Sequence, residues 1–180
     1  MNTGLFKNLI APAFERNLPG NINVFADIMA MAYSMSTIGF SKTLYGATLI
    51  SADKSFVKNA TYIAMSKNFI DKSFSTLGQN YKIMALGFIQ YWTTAKFDLR
   101  APLPITTVIP PQGTTITIPG QVEPFSTMLR LSFATGDAKK TADMLCSAFS
   151  TLHSTIVGTV TGNTSAGYPV PVPIPWTGII

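Results

Sequence analysis

Residues 138–156 read AKKTADMLCSAFSTLHSTI, and within them Ala138, Ala142, Leu145, Phe149, Leu152 and Ile156 follow at steps of 4-3-4-3-4. Alternating steps of three and four stack side chains on one face of a helix, so this stretch carries one continuous apolar seam with Lys, Asp and Ser around the remainder. Gly136-Asp137 just before it supplies a turn and a capping carboxylate. The clearest period in the chain is therefore helical, and the same period recurs upstream.

Residues 3–16 place Leu5, Phe6, Leu9, Ile10, Ala13 and Phe14 in i, i+4 pairs, a short amphipathic helix in which Pro12 is the candidate break point. Pro19-Gly20 turns the chain, and Asn21 or Asn23 caps a second helix reaching about Thr37, with Asp27 near its positive end. A third helix, 53–77, is read from Phe56, Ala60, Ile63, Ile70, Phe74 and Leu77, with Lys67 in the one missing place and Gly78 as the stop. A fourth is expected from about Asn80 to Phe97, burying some of Ile83, Met84, Gly87, Phe88, Tyr91 and Trp92, and a further helix at 123–134 opens with Glu123-Pro124.

Residues 101–122, APLPITTVIPPQGTTITIPGQV, change character. Alternating Thr and Ile about PPQG read as a β-hairpin arm, about 103–119, and its prolines confine the strands to edges or a protruding loop. From Gly158 onward the chain is rich in Thr, Gly and Pro. The expected architecture is mainly α: five or six helices in one domain, 1–157, that includes the β arm, followed by an extended Pro-rich C-terminal strap, 158–180. A weak echo joins ADIMAMAYS (26–34) to ADMLCSAFS (142–150), Tyr standing opposite Phe. Two similar helices about a pseudo-axis would produce it, as would the pattern common to amphipathic helices.

The chain has 180 residues, of which 47% are apolar and 12% charged, against about 25% charged in an average soluble protein. Its mean hydropathy of +0.29 excludes disorder, and no stretch reaches the ~18–20 apolar residues of a spanning helix. Net charge is +5 and unevenly spread: residues 51–100 hold seven Lys/Arg against three Asp, while 145–180 hold no Lys, Arg, Asp or Glu. The first twenty residues make a poor signal peptide, so cytoplasmic synthesis is the expectation.

Chemistry is scarce. Cys146 is the single cysteine, so no intrachain disulfide forms, and His153, the single histidine, lies two helical turns beyond it, about 10 Å along the axis and too far to share a proton. These two are expected to be a small buried thiol and a partly solvated imidazole. One Cys and one His do not make a zinc site, and G-x-S-x-G, Walker A and G-x-G-x-x-G sequences are absent. Asp27, Asp53, Asp137 and Asp143 sit where caps and helix dipoles account for them. No cofactor, no metal and no catalytic residue is expected. Lys54, Lys58 and Lys72 read as a solvated basic face rather than a phosphate-binding surface, since no arginine cluster or aromatic platform accompanies them. Direct reading of nucleic acid is not expected. Lys67, inside an apolar stripe, either snorkels or pairs with Asp27, Asp143 or a neighbouring subunit's carboxylate.

Three uncharged, apolar segments remain: the N-terminal Phe/Leu helix, the arm and the tail. Extended Pro-rich chain lacks internal hydrogen bonds and gains stability by lying on a neighbour. The contact residues expected are Leu5 and Phe6 in the first helix, Ile105, Val108, Ile116 and Ile118 in the arm, and Val170, Val172, Ile174 and Trp176 in the strap, with Trp176 as the aromatic anchor.

An Ala/Met/Phe-rich helical body, the TTVIPPQGTTITIPG arm and the PVPIPWTGII end together resemble small virion structural proteins of tailed bacteriophages, especially those with contractile tails. The resemblance implies a multi-copy, non-enzymatic component of a neck, tail, baseplate or capsid. Such a component would dock to other copies of itself and to other virion structural proteins, assemble in the host cytoplasm and reside in the virion. Two other classes stay open. A membrane-surface protein would use the basic helix and the Leu5/Phe6/Leu9/Ile10 face at a lipid interface. A small-ligand-binding bundle would line a pocket with Tyr91, Trp92 and Phe149.

Overall fold

The computed structural model describes residues 1–15, 21–43, 48–70, 74–98, 122–163 and 171–180. Among them are six helices: α1 (Thr3–Glu15), α2 (Ile22–Thr37), α3 (Ser55–Ile70), α4 (Phe74–Thr93), α5 (Val122–Phe133) and α6 (Ala138–Thr155). Four strands accompany them: β1 (Thr48–Ser51), β2 (Lys96–Asp98), β3 (Val157–Asn163) and β4 (Pro171–Thr177). The mainly helical class and the helix number are as expected. The 103–119 arm lies outside the described residues.

Short polar side chains start the helices. Asn2 Oδ1 accepts from the Leu5 N–H at 3.0 Å, Asn21 Oδ1 from Val24 at 3.2 Å, and Asp137 Oδ1 from Lys140 at 2.7 Å. α1 runs unbroken through Pro12, the candidate break point. Pro12 is exposed, while Phe6, Ile10 and Ala13 are buried on the opposite side and hold both halves of the helix to the core.

The reading of 53–97 needs correction. Two helices are present, but the first ends at Ile70, Gly78 lies inside the second, and the chain is already in β2 at Lys96. The phase of α3 also differs: Ile63 and Lys67 are exposed, and Val57, Ala60, Thr61 and Ala64 face inward. The reason is close packing through small residues. A Cβ on Gly87 would stand 2.3 Å from the Ala60 Cβ and 2.7 Å from the Phe56 carbonyl oxygen, so α3 and α4 approach as only glycine at that point allows.

Each helix packs on its sequence neighbours, and α6 returns to α1, closing a ring. Three rings meet at its centre, one from each even-numbered helix. Tyr33 lies 4.7 Å from both Phe88 and Phe149, and Phe88 lies 4.8 Å from Phe149. One turn before each stands a fully buried Met29, Met84 or Leu145. Six residues before each stands a charge bonded to the next helix round the ring: Asp27 to Lys58 of α3, Lys82 to Glu123 of α5, and Asp143 to Lys7 of α1. The echo between 26–34 and 142–150 therefore has a third member, YKIMALGF at 81–88, and three helices share one layout. Phe14, Phe25, Phe133 and Tyr81 form a second aromatic cluster, joined ring to ring at 5.3–6.2 Å.

β1 and β2 pair antiparallel, Thr48 opposite Asp98. β3 and β4 pair antiparallel from Val157↔Thr177 to Asn163↔Pro171 within the segment expected as a strap. The last three residues are sewn to the chain's own body. The Gly178 N–H donates to Ile156 at 2.7 Å, Ile179 to the His153 carbonyl at 2.9 Å, and Ile180 and Lys42 exchange two bonds of 2.8 and 2.9 Å. Gly178, with φ of +82°, makes the turn that permits this, and Ile179 is buried.

Candidate interaction surfaces

The most polar point of the interior lies where α2, α4 and α6 converge. Trp92 Nε1–H donates to the Tyr33 hydroxyl at 2.7 Å, and that hydroxyl stands 2.8 Å from His153 Nε2. That hydroxyl and the neutral imidazole are hydrogen-bonded to each other, the donor being set by the imidazole tautomer. His153 is 3% exposed, correcting the expectation of a partly solvated ring. Burial, reinforced by the positive N-terminus, pushes its pKa down to about 3, and burial lifts the Tyr33 phenol well above its ordinary value. Beside it Thr37 Oγ1 and the Tyr91 hydroxyl share a 2.7 Å bond. Tyr91, Trp92 and Phe149 are fully buried and packed on one another or on Tyr33, so they fill the core rather than line a ligand pocket.

Cys146 is buried and its thiol is pushed up to about 11 by desolvation, which leaves it protonated and inert. Among the described residues no group of three or more His, Cys, Asp or Glu is placed to hold a metal ion, and no helix is long and apolar enough to cross a membrane.

The expected contact residues divide. Ile105, Val108, Ile116, Ile118 and Val170 lie outside the described residues. The backbones of Val172, Ile174 and Trp176 lie in β4, opposite Gly162, Val160 and Gly158. Leu5 is half-buried. Phe6 is corrected: it is wholly enclosed, edge-on to Phe149 at 5.2 Å, because the apolar face of α1 is the face that closes the helical ring. Ile10 is equally enclosed, so the face expected to enter lipid is turned inward.

A repeated outward apolar stripe runs instead along α2. Val24, Ile28, Met31 and Met35 recur at 4-3-4; Val24, Met31 and Met35 are 39, 41 and 48% exposed and Ile28 is half-buried. The inward side of the same helix is already filled by Phe25, Met29 and Tyr33. Between α2 and α3 runs a groove of about 620 Å³ with Asp27, Asp53, Lys54 and Lys58 along it. Lys58 bonds Asp27 at 2.8 Å, so it is not part of a free basic face, and the groove is balanced in charge. Asp27 and Asp143 are each taken by a lysine other than Lys67, which is exposed. Hydropathy summed round α2 hides this stripe, because both faces are apolar; the 4-3-4 spacing of Val24, Ile28, Met31 and Met35 was the available signal.

No protein-family model, no curated protein and no solved structure matches this chain.

Proposed function

We propose that this protein is a structural, non-enzymatic subunit of a virion-type assembly, a neck, tail, baseplate or capsid component, which docks to copies of itself and to other structural proteins. The observation that carries the reading is the α2 stripe: Val24, Met31 and Met35 are exposed, with Ile28 half-buried among them, at coiled-coil spacing on a helix whose inward face already completes the core. Monomers seldom leave a repeated apolar helix face in water, and heptad-like spacing suits a second helix. Residues 157–180, beyond α6, carry no Lys, Arg, Asp or Glu, so contact between copies there meets no electrostatic repulsion. The virion context rests on the resemblance of the arm and of PVPIPWTGII. Rotational closure is the expected form of such an assembly, because repeated use of one heterologous contact makes a ring when the rotation closes.

Electron microscopy of the concentrated, purified chain tests this. Rings or closed multimers are expected, and Met31→Glu with Met35→Glu should disperse them while leaving helical circular dichroism intact. Particles of single-subunit size from the wild-type chain would contradict the reading.

A further inference from the structure

The β3–β4 hairpin has two unlike edges, and the difference follows from hydrogen-bond parity. In an antiparallel pair, facing residues alternate between those that exchange two N–H···O bonds and those whose N–H and C=O point away. The Gly178 N–H bonds to Ile156, so the parity runs through even-numbered residues: 158↔176, 160↔174 and 162↔172 face each other. Pro171, Pro173 and Pro175 all fall on the other parity, opposite Asn163, Thr161 and Thr159. They leave the β3–β4 ladder intact and strip the outer edge of β4 of its N–H donors at three successive outward positions. The outer edge of β3 keeps a full set, from Val157, Thr159, Thr161 and Asn163. Among the described residues no third strand pairs with either edge, and the two strands contact chiefly each other.

We infer that β3 is the edge through which two copies of this chain join, antiparallel and about a two-fold axis, into one four-stranded sheet. A second copy is the partner that the edge itself specifies. The two-fold register centred on Val160 pairs Val157 with Asn163 of the other copy and Thr159 with Thr161, so every outward donor and acceptor of β3 is used, in about eight backbone hydrogen bonds. The strand lies in a segment, 145–180, with no Lys, Arg, Asp or Glu, so two copies of a chain of net charge +5 meet here without like charges opposed. After one pairing both remaining edges are the proline edges of β4, so growth through the sheet edge stops at two copies and the open-edge hazard of fibre formation is removed. This deepens the assembly reading and rests on it.

The register is directly testable. Across the axis the two Val160 residues form a pair without mutual hydrogen bonds, with Cα atoms ~4.5 Å apart, inside the span a disulfide bridges. In a Cys146→Ala background, Val160→Cys should convert to a covalent dimer under mild oxidation. Adding Thr161→Pro, which removes an outward donor and spares the β3–β4 ladder, should abolish the cross-link while helical circular dichroism stays unchanged; Thr159→Pro serves as a second variant should the first fail to fold. Multimers that persist without a Val160 cross-link would overturn the β3 pairing and leave the assembly reading standing. A chain that stays monomeric throughout, or a Val160→Cys that cross-links only to a foreign chain, would also overturn the pairing, and the monomer would remove both.

Discussion

His153 joins three parts of the fold through its ring and its backbone. Its ring is hydrogen-bonded to the Tyr33 hydroxyl, its carbonyl accepts from Ile179, and it thereby ties α2 and α6 to the C-terminal residues. Removing the Tyr33 hydroxyl orphans two buried groups at once, so Tyr33→Phe should cost about 1–3 kcal/mol in urea unfolding, more than its small change in size implies. The pH dependence has a definite sign. The folded pKa is about 3 and the ordinary value 6.5, so between these the unfolded chain binds a proton that the folded chain refuses. Stability should therefore fall as pH drops through that window, at up to about 1.4 kcal/mol per unit. Unfolding midpoints at pH 7 and pH 4.5 measure the slope, and His153→Gln should flatten it; an equal slope in both proteins would refute the assignment. Asp53 and Asp143, held below the ordinary carboxylate value by Ser55 and Lys7, add to acid loss only at the lower end of the window.

At the scale of elements, two glycines of α4 should respond oppositely to the same substitution. Gly87→Ala places a methyl 2.3 Å from Ala60 and must push α3 away, so a loss of about 1–3 kcal/mol is expected. Gly78→Ala meets nothing within 4 Å inside the same helix and should gain about 0.5–1 kcal/mol. Thermal unfolding of both variants settles the contrast. The same contact explains what the sequence did and did not disclose. The 4-3-4-3-4 seam of α6 was legible because large residues mark its buried face, and five of its six positions are buried, with Ala138 partly so. The face of α3 was misread because its buried side is Ala60, Thr61 and Ala64, with Ala60 against Gly87, and small residues carry little hydropathy although they allow the closest approach. The ends of α1, α2, α5 and α6 were legible from Asn21, Asp137 and the turn residues. The exposed stripe on α2 was legible only as a 4-3-4 spacing, because the helix is apolar on two sides and nothing local distinguishes the side that meets its own core.

At the scale of the molecule, a ring of six helices closes on a triangle of Tyr33, Phe88 and Phe149 and completes its core within one chain. The exposed residues of the α2 stripe are then surplus to folding. Folding and association should be separable, so Met31→Glu with Met35→Glu should leave the unfolding midpoint within about 0.5 kcal/mol of wild type, as surface substitutions do, while lowering the particle mass. An expectation of free terminal ribbons was only partly legible in the uncharged tail, since the sequence gives no hint that Ile179 returns to His153. The most direct measurement is the mass of the full-length chain by light scattering across a dilution series. Expected is a multiple of 19.4 kDa that falls on dilution or on replacing Met31 and Met35; a constant 19.4 kDa at every concentration would contradict a life spent docked to other subunits.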